Sequence, residues 1–460
     1  MSVRAIVLAA GKGTRMNSDR SKVVFSVAGR PIIAWVVAAA LDAGVDEVIV
    51  VVGHGAEDVE AALVEGVMTV IQGQQLGTAH AVTTALEVMG DVSDDTVIVL
   101  PGDSPLITSA TIRTLLETHA SGDARCTLLT AVMPDPTGYG RVIRVGERVR
   151  AIVEERDADE AQREIDEVAV STYVFDGAGL VDTLVEINND NEQGEYYLTD
   201  AVAAMASEGG VAAIAGADAQ EVLGVNTHEQ LAAADAAVRR RINREWMEAG
   251  VWMQDPDTIY IDASVGLEAG VRLYPGTHLE GDTHVGPDSE IGPNTVVRDS
   301  VIGSGCKIWF SVVRGVEMAD GVEVGPYASL RPGTVMADST KAGTFVELKA
   351  TVLGKGSKVP HLSYIGDAAI GEDSNIGAGS ITCNYDGFNK HRTVIGDRVL
   401  IGSDTMLVAP VEIGDDAYTG AGSVITKDVA AGSLAVERSS QKELPGYADR
   451  RARLAESEGE

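Results

Sequence analysis

Two stretches of this 460-residue chain carry residue types that a plain scaffold does not need. The first is Leu8-Ala-Ala-Gly-Lys-Gly-Thr-Arg-Met16, a glycine turn after an apolar run, with cations at Lys12, Arg15 and, further on, Lys22. Glycines let backbone N–H groups approach a phosphate, and the cations neutralise it. The string is neither a Walker A sequence nor a full GxGxxG, since Met16 stands where a third glycine would be. Alone, such a turn is as often purely structural. The second stretch is Val359-Pro-His361-Leu-Ser-Tyr364 with Ile376-Gly-Ala378-Gly-Ser-Ile-Thr-Cys-Asn384-Tyr385-Asp-Gly-Phe-Asn-Lys390. It sets a His and a Tyr among small residues, although a lone His there is by default a surface residue.

The elements that must hold these stretches differ between the halves. In the first half, Ala5–Ala10, Glu47–Val52 and Thr96–Leu100 read as strands, and Ile32–Leu41 and Thr78–Met89 as helices. Alternation of this kind predicts a doubly wound, Rossmann-like α/β domain with a mostly parallel sheet. Ligands bind beyond the carboxyl ends of such strands, where Gly11 and Gly102-Asp103 fall. Leu231, Val238, Ile242 and Trp246 recur at helical spacing and predict a helical arm. Arg239-Arg-Arg-Ile-Asn-Arg on that arm reads as a solvated face. From Ile261 to Ile425 an aliphatic residue returns every six positions, as at Ile261, Leu267, Leu273, Leu279, Val285, Ile291 and Val297. Six is not a helical period; it is that of a parallel β-helix, whose coils bury their apolar edges only against one another. The boundaries read as 1–228, 229–250 for the arm and 251–460. Residues after Arg438 are polar and are expected to be mobile.

Composition narrows the function classes. The formal net charge of −33 argues against a nucleic-acid partner or an anionic membrane surface. Glycine is high, at 51 residues, and aromatics are only 4%, as tight coils of small side chains require. Cys126, Cys306 and Cys383 lie far apart and suggest neither a disulfide framework nor a zinc site. No apolar run reaches a membrane span. A cytoplasmic protein without membrane insertion is expected.

The nine-residue glycine string resembles the signature of the nucleoside-diphosphate-sugar pyrophosphorylases. Gln72 with Gln75-Leu-Gly77-Thr78, Gly102-Asp103, Pro136-Thr-Gly-Tyr-Gly140-Arg with Ile152-Val-Glu154, and Gly224-Val-Asn226 match that family in order. The resemblance implies UTP bound by Leu8, Ala9, Ala10, Gly11, Arg15 and Lys22, with uracil read at Gln72, Gly77 and Thr78. It puts the sugar at Gly140, Glu154 and Ala169, beside Gly102, and Mg²⁺ on Asp103 and Asn226. Hard oxygen ligands suit that ion. Three departures stand out. Ala169-Val-Ser171 replaces the family's Asn-Thr-Gly, so the amide that contacts the sugar is missing. Pro101 replaces an aromatic residue, and Ser21 replaces a proline before Lys22.

From Arg331 to Arg438 the chain is similar to the acetyltransferase half of the bifunctional N-acetylglucosamine-1-phosphate uridyltransferase / glucosamine-1-phosphate acetyltransferase family. Nearly the whole chain follows that family's domain order. The resemblance implies a left-handed β-helix, a homotrimer and acetyl-CoA as co-substrate. It makes His361 the general base and puts the sugar phosphate on Arg331, Lys349, Tyr364, Asn375 and Lys390. Asn384 and Tyr385 fall beside the thioester, and coenzyme A along Ala378, Ser403, Ala421 and Arg438. Direct attack by an amine needs no acyl-enzyme, so Cys383 reads as structural. The implied product, UDP-N-acetylglucosamine, is a precursor of peptidoglycan and other envelope glycans. Two alternatives stay open: a single-activity pyrophosphorylase with a structural or regulatory β-helix, and a non-catalytic assembly subunit.

Overall fold

The computed structural model describes residues 2–207, 210–215 and 221–457. The chain divides into two compact units, Met1–Arg244 with Ile261–Ala263 and Glu245–Tyr260 with Ser264–Glu460.

The first unit is built on a sheet whose strand order is Val211–Ala215, Cys126–Val132, Glu167–Asp176, Thr96–Pro101, Val3–Ala9, Glu47–Val52 and Met68–Ile71. Val3–Ala9 pairs in parallel with Glu47–Val52 and Thr96–Pro101. Glu167–Asp176 runs antiparallel to both its neighbours. The β-branched and aliphatic centres of these strands, such as Ile6, Val7, Ile49, Val50, Ile98 and Val99, are buried because both faces are covered. Ile33, Val36, Ile112 and Leu115 close one face, and Val82, Ala85, Ala201 and Val202 close the other. The expected doubly wound α/β fold is therefore present. Parallel pairing brings Ala9, Val52 and Pro101 to one edge, so the loops that follow them meet there. Gly102 packs tightly at that edge: a Cβ on it would lie 2.8 Å from the Leu8 carbonyl oxygen.

The helical arm forms as His228–Glu248. In the second unit three parallel sheets of 11, 10 and 9 short strands run the length of a β-helix. The six-residue period becomes columns of stacked side chains. Leu279 pairs with Val297, Val297 with Val313, Val313 with Leu330, Leu330 with Leu348 and Leu348 with Ile365, all buried. Coiling starts at Trp252–Met253, ahead of the first regular aliphatic residue, and its last rung is Leu434–Ala435.

Corners of the coil take left-handed backbone conformations. Asp288, Asp299, Asp367, Asp373, Asp404 and Asp416 occupy such positions with φ between 48° and 59°. Asp tolerates that region better than most residues with a Cβ. Other corners hold Phe310, Tyr327, Phe345, Leu362 and Arg398 in the same conformation, so aspartate is accommodated there and not required.

Tyr447–Ser457 is an exposed helix, with the Arg450 guanidinium over the Tyr447 ring. Its alternating charges and alanines support helix even without a packed face.

Candidate functional sites

In the first unit the strand-end loops enclose two adjoining cavities. The larger, about 350 Å³, is lined by Leu8, Ala9, Ala10, Gly11, Lys22, Gln72, Gln75, Gly77, Thr78 and Asp103 among others. The smaller, about 160 Å³, is lined by Asp103, Tyr139, Gly140, Glu154, Ala169, Thr199 and Asn226 among others. Pro101, Asp103 and Ser171 belong to both walls. Nearly every residue singled out from the sequence of this half is gathered there. Gly102 supports the wall from behind. Lys12 and Arg15 are exposed beside the loop and line neither cavity; Arg15 sits on the short turn Thr14–Met16.

At the seam, the Lys22 ammonium donates hydrogen bonds to the Asp103 carboxylate and, at 2.7 Å, to Asn226 Oδ1. One carboxylate and one amide oxygen therefore converge on a single point from loops 123 positions apart in sequence. Two hard oxygens facing a cavity are the donor set a Mg²⁺ ion accepts when substrate phosphates and water complete its shell. Among the described residues no cluster of three His, Cys, Asp or Glu side chains could hold a metal without such help. The residues present fit the ion on those terms.

Gln72 is buried, and its amide nitrogen donates to the Gly77 carbonyl at 3.1 Å and contacts His80 Nδ1 at 2.9 Å. That holds the side chain rigid at the start of helix Thr78–Met89. Gly77 has φ +110°, and a Cβ there would lie 2.5 Å from the Tyr196 carbonyl oxygen, so only glycine fits. In the smaller cavity Glu154 accepts from Thr199 Oγ1 at 3.1 Å. Burial pushes its pKa up; the Thr199 hydrogen bond opposes this, and Asp157, Asp200 and Glu195 add to it. Asp200 is raised by burial and by Asp157.

The three departures acquire physical content. Ala169 is buried in the smaller cavity's wall and offers no side-chain hydrogen bond. Pro101 ends its strand and lines both cavities, giving a firm apolar edge. Ser21 is fully buried, and its hydroxyl has no hydrogen-bond partner. Its φ of −57° is one a proline ring would adopt.

In the second unit the predicted residues lie on successive coils. Glu347 pairs with Tyr364 and Tyr364 with Ile381, so Lys349, Tyr364 and the segment entering Asn384 share one face. Lys349 Nζ donates to both Asp367 oxygens, at 2.8 and 2.9 Å. Asn384, itself buried, donates to Asp367 Oδ2 at 2.5 Å and to the Tyr364 hydroxyl at 3.3 Å. Burial acts to raise the Asp367 pKa, but the Lys349 and Asn384 hydrogen bonds, with the charges of Lys349 and Lys390, hold it below the usual range. Lys390 is pulled down chiefly by its contact with Lys349. Two ammonium groups thus crowd together around one carboxylate, an arrangement that favours an added anion. Arg331 is paired to Glu347 at 2.9 Å.

His361 ends strand Lys358–His361 with an exposed side chain, three residues before Tyr364. Asn375 pairs with Lys358 one rung on, and its own partner on the following coil is Leu400. That longer coil carries the interruption, closed by a bridge between Tyr385 and Lys390 that leaves Tyr385 exposed. Ala378, Ser403 and Ala421 stack on consecutive coils through backbone hydrogen bonds of 2.7 and 2.8 Å, from Asp404 to Ala378 and from Gly422 to Ser403. Arg438 donates to the Ala421 carbonyl at 2.8 Å. Burial pushes the Cys383 thiol up, away from a nucleophile's range. Sequence reasoning passed over Glu195, Thr199 and Ser171 as site residues. The first two lie in a polar segment without a motif, whereas Ser171 belonged to a string already noted as irregular.

Comparison with known proteins bears on both units. A model of the MobA-like NTP transferase domain matches residues 5–169, and one of the bacterial transferase hexapeptide (six repeats) matches residues 392–427. With its parallel rungs, the second unit is a left-handed β-helix of hexapeptide repeats. A "Bifunctional protein GlmU" of Heliobacterium modesticaldum is 51% identical over 441 residues, covering 95% of this chain and 96% of the relative. Those of Caldanaerobacter subterraneus subsp. tengcongensis and Streptomyces avermitilis are 48% and 46% identical, each over 97% of this chain and over 98% and 94% of their own.

Two predictions follow from this geometry. Ser21→Pro is expected to raise stability by about 0.5–1 kcal/mol, through the reduced freedom of the unfolded chain, with a further gain from removing an orphaned hydroxyl. Urea unfolding checks it, and a loss of stability contradicts it. For Glu154 the raised native pKa means that the folded state holds its proton longer than the unfolded chain does. Stability should therefore fall as pH rises from the ordinary carboxylate range through the raised value. Glu154→Gln removes that fall, so its melting temperature should exceed the wild type's at pH 7, and the excess should shrink below about pH 4. A difference independent of pH would contradict the assignment.

Proposed function

The chain belongs to the family of bifunctional GlmU proteins and is a transferase with two activities, and we propose how its residues divide them. The second half transfers an acetyl group from acetyl-CoA to the amine of glucosamine-1-phosphate. The first half transfers uridylyl from UTP to the N-acetylglucosamine-1-phosphate so formed.

In the acetyl transfer the sugar amine attacks the thioester carbonyl, the carbon–sulfur bond breaks, and coenzyme A leaves as its thiol. His361 takes the amine proton; a neutral imidazole near pH 7 suits that task. Arg331, Lys349 and Lys390 hold the sugar phosphate, with Tyr364 and Asn375 on the ring. Asn384 and Tyr385 flank the thioester, where a donor stabilises negative charge on oxygen. The small column Ala378, Ser403 and Ala421 leaves room for the pantetheine arm, and Arg438 sits at its end.

In the uridylyl transfer a phosphate oxygen of the sugar phosphate attacks the α-phosphorus, and pyrophosphate leaves. No covalent enzyme intermediate is needed, so the chain contributes positioning and charge. The observation that carries this reading is the meeting of Lys22, Asp103 and Asn226 at the seam of the two cavities. Asp103 and Asn226 would hold Mg²⁺, which when bound neutralises triphosphate charge. Lys22 would supply a cation to a phosphate oxygen, and Arg15, exposed beside the loop, a second. Gln72 with the backbone around Gly77 and Thr78 reads the uracil edge; Gly140 and Glu154 receive the sugar.

The repeat domain supports a homotrimer, and the division at 1–228, 229–250 and 251–460 follows the two activities. Among the described residues no helix is long and apolar enough to cross a membrane. A cytoplasmic location and a place in supplying cell-envelope glycans complete the proposal.

Two single variants test the division of labour. His361→Ala is expected to lower thiol release from acetyl-CoA at least about 100-fold and to leave pyrophosphate release from UTP and N-acetylglucosamine-1-phosphate unchanged. Lys22→Ala should do the reverse. Loss of both activities in either variant, with folding intact, would contradict the assignment of independent sites.

A further inference from the structure

Among the described residues in the walls of the two cavities, Ser171 is the one non-glycine whose backbone is left-handed, at φ +55°. It sits on the irregularity in strand Glu167–Asp176, where pairing with Cys126–Val132 slips between Ala169 and Tyr173. A side chain in that conformation is strained unless something retains it, and such outliers collect at ligand sites. The bulge does not itself require serine, since glycine would occupy it without strain. What serine adds is a hydroxyl, carried by an exposed residue that lines both cavities. Around it, Ala169 and Val170 are apolar and buried, so neither supplies a polar side-chain contact. The Ser171 hydroxyl also lies against that of Tyr173, a buried side chain near Glu154. Tyr173 and Glu154 line the smaller cavity with it.

We propose that Ser171 is a specificity-determining residue of the uridylyl-transfer site: its hydroxyl, projected by the bulge, hydrogen-bonds the sugar of the acceptor phosphate where Ala169 offers nothing. This rests on the proposed uridylyl transfer and names a contact within it. The strain is the means of projection. Relaxing the bulge with glycine removes the contact, whereas alanine keeps the strain and loses only the oxygen.

The two variants therefore give different signatures. For Ser171→Gly we expect a higher melting temperature than wild type and a KM for N-acetylglucosamine-1-phosphate about five- to tenfold higher, as for loss of one hydrogen bond. Its kcat and its KM for UTP should stay within about twofold of wild type. Ser171→Ala should show the same KM rise without the stability gain. Adding Ala169→Asn to Ser171→Gly, which returns an amide to the cavity wall, should restore the sugar KM. A sugar KM unchanged in both single variants would overturn the proposal and leave Ser171 as strain alone. A rise confined to the KM for UTP would also overturn it. Absence of uridylyl transfer by the wild-type chain would instead sink the parent reading, so the two failures are distinguishable.

Discussion

Parallel strand pairing is the constraint on which both units depend. In the first it aligns Val3–Ala9, Glu47–Val52 and Thr96–Pro101 so that their carboxyl ends fall on one edge. Loops that are remote in sequence then become neighbours, and Gly11, Gln72 and Asp103 come to line a single cavity. In the second unit the same pairing acts coil by coil. A residue at a given place on one coil lies over its counterpart on the next, so Lys349 meets Gly366, and Tyr364 meets Ile381. Chemistry is assembled in columns there and at an edge in the first unit.

Charge shapes both sites in the same way. A chain of net charge −33 repels the phosphates it must bind. Each site answers with an ammonium already engaged by a carboxylate: Lys22 with Asp103, and Lys349 with Asp367. These pairs keep partly buried cations satisfied until an anion arrives, since an unpaired buried charge is costly. Lys390 lies against Lys349, whose like charge pulls its pKa down.

Much of this was legible in the sequence. Strand and helix alternation gave the first fold, and the six-residue aliphatic period gave the second, because each reports directly which side chains are buried. Strand-end glycine turns pointed to Gly11 and Gly102-Asp103, while the family resemblance singled out Gln72, Glu154 and Asn226, which line the two cavities with Asp103. Less visible was whatever depends on backbone conformation or on distant neighbours. Nothing local announces that Ser171 sits at positive φ on a slipped strand. Gln72 is held by Gly77 and His80, contacts fixed by a helix start and not by a motif. The exposed helix Tyr447–Ser457 was also not visible, because a helix that buries no residue leaves no core-facing stripe to read.

The central claim is that one chain carries two sites used in sequence, acetylation in the coil and then uridylylation in the α/β unit. The most direct measurement is pyrophosphate release from glucosamine-1-phosphate, UTP and Mg²⁺, with and without acetyl-CoA. The account predicts negligible release without acetyl-CoA and, on its addition, thiol release first and pyrophosphate after a lag. Equal pyrophosphate release in both reactions would contradict it.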